Sequence, residues 1–82
     1  MSNILVTIYV LSLDDSYDLL LPINVKVKEV IDMIQNTLCE MSNDNYVKHD
    51  NALLICADGK VINNKNIVRL SGLKNGCKVV LI

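Results

Sequence analysis

The chain has 82 residues, of which 51% are hydrophobic and none is Trp or Phe, and its formal net charge is −1. This length excludes a second hydrophobic core, so we expect a single domain over residues 1–82 with a core of Leu, Ile and Val. Because basic and acidic residues are interspersed, the basic face that general nucleic-acid binding requires is not expected, and nucleic acid is not predicted as a partner.

The first strand is predicted over Ile4–Leu11 and the second over Tyr17–Leu21, with a turn signal at Leu13–Ser16 between them. Apolar residues fall on both faces of the first strand, which is typical of a central strand. The two strands therefore predict an antiparallel hairpin that Pro22 ends. The side chains predicted to face the helix are Ile4, Val6, Ile8 and Val10 from the first strand and Tyr17, Leu19 and Leu21 from the second.

An amphipathic helix is predicted over about Val27–Glu40. Its apolar stripe consists of Val27, Val30, Ile31, Ile34, Leu38 and Met41. Its other side is predicted to face water and carries Lys28, Glu29, Asp32, Gln35, Asn36 and Glu40. The helix start lacks a good cap, with Asn24 the nearest candidate, so docking on a sheet is expected to fix where the helix begins.

The second half of the chain predicts a polar loop followed by short strands and tight turns. Ser42–Asn51 is the loop, and Ala52–Ala57 is the third strand. The Asp58-Gly59 pair predicts a turn into a short fourth strand at 60–62. The remaining predictions are a connection over 67–73 anchored by Ile67 or Val68, Leu70 and Leu73, a turn at Asn75-Gly76, and a final strand over Cys77–Ile82.

This order of elements predicts an α+β fold with one helix packed across a mixed sheet of four to five strands. We expect the strand order second, first, last, third, with the last strand parallel to the first. In the last strand, Lys78 marks the outer face, so Cys77, Val79 and Leu81 are predicted to point inward.

The pattern resembles the ubiquitin-like β-grasp fold over essentially the whole chain. The residues that carry this resemblance are VKEVIDMIQ (27–35), ALLICADGKVI (52–62) and LSGLKNGCKVVLI (70–82). The chain is also similar to the small ubiquitin-like YukD/EsaB family of bacterial type VII secretion loci, through YDLLLPINVKVKEVIDMIQNTL (17–38) and NGCKVVLI (75–82). These segments are patterns of turns and apolar positions, not catalytic motifs.

The family resemblance implies a non-conjugated binding module that is an accessory or regulatory component of a type VII secretion system. Its partners would be proteins, such as membrane components of that system, and it would be cytoplasmic or peripheral to the membrane through the secretion complex. The alternative is a covalent modifier or sulfur carrier, which needs a flexible tail ending in Gly-Gly. The chain ends at Ile82 without one, so we expect no conjugation.

No catalytic residue, cofactor or metal site is predicted. The cysteines Cys39, Cys56 and Cys77 are odd in number and widely spaced, which favours reduced cytosolic thiols over disulfides or a zinc site. The adjacent His49 and Asp50 have no attached nucleophile and are interpreted as solvated loop residues. The spacing of Asp14, Asp15 and Asp18 matches no calcium loop, which favours a solvated hairpin end.

The apolar N-terminal run Ile4–Leu13 has no basic leader and is too short to span a bilayer, so neither a signal peptide nor direct membrane insertion is expected. Oligomeric state is not predicted.

The candidate interaction surface is the sheet face away from the helix. Alternation sends Thr7, Tyr9, Leu20, Leu54, Val80 and Ile82 to this face. Several of these are apolar where a solvated face should be polar, which indicates either an interface or an ordinary, partly apolar surface. Ubiquitin-like proteins commonly bind through this face, and the resemblance carries that role to Leu54 and Val80.

Overall fold

The computed structural model describes residues 3–43 and 45–82, which form four strands, one α-helix and a short 3₁₀ helix. The elements are β1 (Asn3–Val10), β2 (Asp15–Pro22), α1 (Val27–Met41), β3 (Leu54–Cys56), the 3₁₀ helix (Val68–Leu70) and β4 (Lys78–Leu81). The predicted α+β architecture, with one helix across a mixed sheet, is confirmed.

The four strands form one sheet in the order β2-β1-β4-β3. β1 pairs antiparallel with β2 along its whole length, from Asn3 opposite Pro22 to Val10 opposite Asp15. On its other side β1 pairs parallel with β4, and β4 pairs antiparallel with β3. The predicted order and the parallel pairing of the first and last strands are therefore confirmed.

The core lies between one face of this sheet and α1. Val6, Ile8 and Val10 of β1 are fully buried and face the helix, as their alternation predicted. Burial of each large aliphatic side chain contributes about 1.5–3 kcal/mol before entropy is counted. The helix contributes Val27, Val30, Ile31, Ile34 and Leu38 to the same core. Met41, placed in this stripe by its spacing, is instead half exposed, because it lies at the last residue of the helix, beyond the sheet contact.

The start of α1 is fixed by backbone contacts with a distant segment. The N–H of Val27 donates to the carbonyl of Asn66 at 2.9 Å, and the N–H of Lys28 donates to that of Asn64 at 3.0 Å. The N-cap is Lys26, whose own N–H donates to the Glu29 carboxylate at 3.3 Å. These contacts satisfy N–H groups that have no partner inside a helix, so docking replaces the missing side-chain cap.

Three predictions in the second half need correction. The third strand is shorter than predicted, and the fourth is only an isolated bridge between Val61 and Ile55. Leu70 is exposed, since it ends a 3₁₀ turn of which only Val68 points into the core. Leu73 is buried as predicted, and Gly59 and Gly76 have the positive φ angles that their tight turns require.

Candidate protein-interaction surface

The sheet face away from α1 carries a row of apolar side chains across three strands. Tyr9 of β1 lies opposite Val80 of β4, and Val80 lies opposite Ile55 of β3. All three side chains are half-buried. Side chains that lie directly opposite each other on neighbouring strands are in contact, so the three form one continuous surface.

Two more apolar residues extend this row. Leu53 and Ile82 exchange both backbone hydrogen bonds at 3.0 Å, which places them opposite each other just beyond the ends of β3 and β4. Both follow the alternation of Ile55 and Val80, so they share the open face. We call the set Tyr9, Leu53, Ile55, Val80 and Ile82 the central patch.

Leu54 was predicted on this face, and that placement is wrong. Its side chain is 0% exposed and lies in the core between the sheet and the helix. The register pairs Leu54 with Leu81 and Ile55 with Val80, so the third strand is shifted by one residue from the prediction. A shift of one residue moves every side chain of a strand to the opposite face. Leu54 therefore faces the core, and Leu53 and Ile55 take its predicted place on the open face.

Leu20 lies on the open face, as predicted, but it is not part of the central patch. It is 65% exposed and pairs with Leu5 of β1. Leu5 and Tyr9 are four residues apart along β1, roughly 13 Å at 3.3 Å per residue. Between them runs a polar row in which the Thr7 hydroxyl donates to Asp18 at 2.6 Å and Lys78 lies opposite Thr7. The open face therefore has two apolar regions separated by polar side chains.

Tyr9 is the aromatic member of the central patch, and its ring is held at its polar end. Its hydroxyl donates to the carboxylate of Asp14, a residue in the β1–β2 turn with a φ of 51°. This hydrogen bond, with smaller contributions from burial and the negative charge, raises the pKa of Tyr9 above its usual value. Tyr9 therefore stays neutral at physiological pH and presents an oriented ring.

The three aspartates at the hairpin end each take part in a separate local hydrogen bond. Asp14 accepts from Tyr9, Asp18 accepts from Thr7, and Asp15 accepts from the N–H of Ser16 at 2.8 Å. Within the described residues, no group of three His, Cys, Asp or Glu side chains is placed to hold a metal ion. The aspartates thus contribute local order and negative charge at this end of the sheet.

Among the residues that the structure describes, the thiols and His49 belong to no group of three side chains that could hold a metal ion. Cys39, Cys56 and Cys77 are half-buried and free, and His49 is exposed. Burial raises the pKa of Cys56, and the negative charge of Asp58 adds to this effect. A raised pKa lowers the thiolate fraction, which is the opposite of what a nucleophilic cysteine requires.

A buried polar network in the loop after α1 was not predicted. Gln35, expected to face water, is only 3% exposed. Its amide oxygen accepts from the Tyr46 hydroxyl at 2.8 Å and from the His49 N–H at 3.0 Å, and its amide nitrogen donates to the His49 carbonyl at 3.0 Å. Lys48 then contacts Asp32 at 2.5 Å on the helix surface. The sequence signal for this network was a tyrosine in a loop that, apart from Tyr46 and Val47, is polar.

No family model matches the chain, and no curated protein sequence matches it. Solved structures do match. The ubiquitin-like domain of the Mycobacterium tuberculosis type VII secretion system protein ECCD1 is 20% identical with a TM-score of 0.76, over 100% of this chain and 99% of that one. The EccD5 ubiquitin-like domain of Mycobacterium xenopi is 12% identical with a TM-score of 0.72, over 100% and 94%.

A third similar structure is a chain of the MycP5-free ESX-5 inner membrane complex. It is 12% identical, with a TM-score of 0.71. The match covers 100% of this chain but only 21% of the chain in that complex. Identities this low show the fold, which is the ubiquitin-like β-grasp. Among the helices of the described residues, none is long and apolar enough to cross a membrane.

Proposed function

We propose that this chain is a non-conjugated ubiquitin-like binding module that acts as a cytoplasmic accessory component of a bacterial type VII secretion system. The observation that carries the proposal is the match to the ECCD1 ubiquitin-like domain, which spans 100% of this chain and 99% of that domain. A second similar domain is also an EccD protein, and a third belongs to an inner membrane complex. In this proposal the chain binds proteins of such a complex at the membrane surface.

The central patch is the contact surface in this proposal. Tyr9 supplies a large aromatic side chain whose hydroxyl is held by Asp14, so little side-chain entropy is lost on binding. Val80 lies between Tyr9 and Ile55, at the middle of the patch. Anchors at the centre of a small interface commonly account for 2 kcal/mol or more each, so we expect Tyr9 and Val80 to dominate the affinity.

The proposal is tested in a bacterium that carries the gene for this chain beside a type VII secretion locus. The gene is deleted, and export of the small helical substrates of that locus is measured after complementation. Wild-type chain is expected to restore export and to co-purify with the solubilised membrane complex. Val80→Asp is expected to do neither, because it places a charge at the centre of the contact surface.

The matched control is Leu20→Asp, which adds the same charge to the same sheet face outside the central patch. Circular dichroism first establishes that both variants are folded. Full export in the deletion strain would contradict the secretion role, and full binding by Val80→Asp would contradict the role of the patch. An adenylate or thioester at the C-terminal carboxylate after incubation with ATP and an activating enzyme would instead establish the covalent-modifier alternative.

A further inference from the structure

The Asn75-Gly76 turn is bonded to the start of β1. The side-chain oxygen of Asn75 accepts from the Leu5 N–H at 2.8 Å, and the Gly76 N–H donates to the Leu5 carbonyl at 2.6 Å. The N–H of Cys77 donates to the carbonyl of Lys74 at 3.0 Å, and Gly76 has a φ of 84°, as in a type II turn. Both backbone groups of Leu5 are therefore bonded to this one dipeptide.

The same dipeptide is the sequence most prone to deamidation in this chain. Of the asparagines in the sequence, only Asn75 is followed by Gly. Deamidation begins when the backbone nitrogen of the following residue attacks the side-chain amide carbon, Cγ. Glycine has no Cβ to hinder this approach, and it gives the backbone the freedom that ring closure needs. An unfolded chain is therefore expected to react first at Asn75.

The reaction consumes water and needs no oxidant or reductant. The Gly76 nitrogen loses its proton and bonds to Cγ of Asn75, and the bond from Cγ to the side-chain nitrogen breaks, so that ammonia leaves. Water then opens the resulting cyclic imide. Cleavage at Cγ gives aspartate with an ordinary backbone. Cleavage at the main-chain carbonyl gives isoaspartate, in which the backbone runs through the former side chain and is longer by a carbon atom.

The folded structure opposes ring closure through hydrogen bonds and not through burial. Asn75 and Gly76 are both exposed, so water reaches them. The Gly76 nitrogen, however, would have to give up the proton that it donates to Leu5, and the Asn75 amide would have to leave the Leu5 N–H. The reaction therefore requires the turn to open, and its rate follows the population of open chain.

We propose that Asn75 is a modification site that deamidates in the unfolded chain and is protected by the fold, and that its isoaspartate product destabilises the domain. Aspartate at this position keeps an oxygen that can accept from Leu5. In isoaspartate the longer backbone changes the spacing between the carboxylate and the Gly76 N–H, so the two no longer fit both groups of Leu5. Time spent unfolded therefore leaves a lasting mark on the chain. This inference concerns the chain alone and does not depend on a secretion partner.

Deamidation is followed by peptide mapping and mass spectrometry during incubation at mildly alkaline pH. Wild-type chain unfolded in guanidinium chloride is expected to deamidate at Asn75 before any other asparagine. In buffer, the rate at Asn75 is expected to be lower by about tenfold or more, because only the open fraction reacts. Equal rates in buffer and in denaturant, or faster reaction at another asparagine of the unfolded chain, would overturn the proposal.

Two variants with the same added charge separate the effect of the fold from that of the denaturant. Leu54→Asp, expected to unfold because Leu54 is buried, should react at Asn75 in buffer as fast as wild type does in denaturant. Val80→Asp changes a half-buried residue, is expected to fold and should stay protected. Circular dichroism establishes the state of each chain, with Ile34→Asp as a second unfolded variant. Protection of Asn75 in an unfolded chain would refute the role of the fold.

The two products are compared as pure chains. A chain with isoaspartate at position 75 is made by chemical synthesis with ligation at Cys56, and Asn75→Asp represents the other product. The isoaspartate chain is expected to melt at a lower temperature than wild type, whereas Asn75→Asp is expected to melt near the wild-type temperature. An isoaspartate chain as stable as wild type, or an equal loss in both products, would refute the predicted destabilisation.

Discussion

Replacement of Gln35 by Ala is expected to destabilise the domain far more than its position on a polar helix face would indicate. The substitution removes three hydrogen bonds and leaves the Tyr46 hydroxyl and both backbone groups of His49 without partners. Leaving the buried Tyr46 hydroxyl without a partner costs about 1–3 kcal/mol. The backbone groups of His49 cost less, because this residue is exposed and water can reach it. We therefore expect a loss of about 2–4 kcal/mol in the free energy of unfolding.

The loss is measured by urea unfolding followed by circular dichroism, with the thermal midpoint as a second readout. For a domain of this size, each kcal/mol lowers the melting temperature by about 4–8 °C. Tyr46→Phe removes only one of the three hydrogen bonds and is expected to cost about 1 kcal/mol. Lys28→Ala, on the exposed face of the same helix, is the control and is expected to change little.

A double-mutant cycle between Gln35→Ala and Tyr46→Phe isolates their interaction. We expect the two effects not to add, because both remove the same hydrogen bond. A loss below about 0.5 kcal/mol in Gln35→Ala would show that the network does not hold the loop onto the helix, and the reasoning would be refuted.

Three further predictions concern the core, pH and the thiols. Leu54→Asp and Ile34→Asp should each unfold the domain, because both residues are buried. Val80→Asp changes a half-buried residue and should melt cooperatively near the wild-type temperature. A stable Leu54→Asp variant would contradict the observed register of β3. Burial raises the pKa of Tyr46 above its usual value of 10.0, so the folded state favours the protonated hydroxyl. This contribution to the free energy of unfolding is fully present below pH 10 and is lost as the pH rises through the raised pKa. The urea midpoint should therefore fall more steeply above pH 10 for wild type than for Tyr46→Phe, and parallel curves would argue against this. The raised pKa of Cys56 predicts slower alkylation of this thiol by iodoacetamide at pH 8 in the folded chain than in urea. The two rates are measured by mass spectrometry, and equal rates would show an accessible, unperturbed thiol.

The sequence was sufficient to predict the hairpin, the helix and the strand order because each rests on a clear periodic pattern. The helix was predicted over Val27–Glu40 and is observed over Val27–Met41. The alternation of β1 correctly separated the buried Val6, Ile8 and Val10 from Leu5, Thr7 and Tyr9 on the open face. In these segments a shift of register would bury polar or expose apolar side chains, so the pattern has one favourable placement.

The errors fall where the pattern has no such preference. The third strand, ALLICA, is apolar at every position, so alternation could not decide whether Leu54 or Leu53 and Ile55 face the core. Gln35 was misplaced for another reason. A polar side chain on a helix is expected to face water unless a distant residue supplies its hydrogen bonds. For Gln35 that residue is Tyr46, which lies in a loop whose path the sequence does not specify.

The parallel pairing of β1 with β4 determines when this chain can fold during its synthesis. The middle of the sheet joins Thr7–Val10 to 78–81, so the central strand pair cannot close until residues 78–81 have left the ribosome. The carbonyls that hold the start of α1 also come from the second half, at Asn64 and Asn66. Only the β1–β2 hairpin is local, and contacts between distant parts of a sequence slow folding. We therefore expect the nascent chain to expose its apolar strands until residues 78–81 emerge and then to fold in a single cooperative step, which makes it a substrate for chaperones at the exit tunnel.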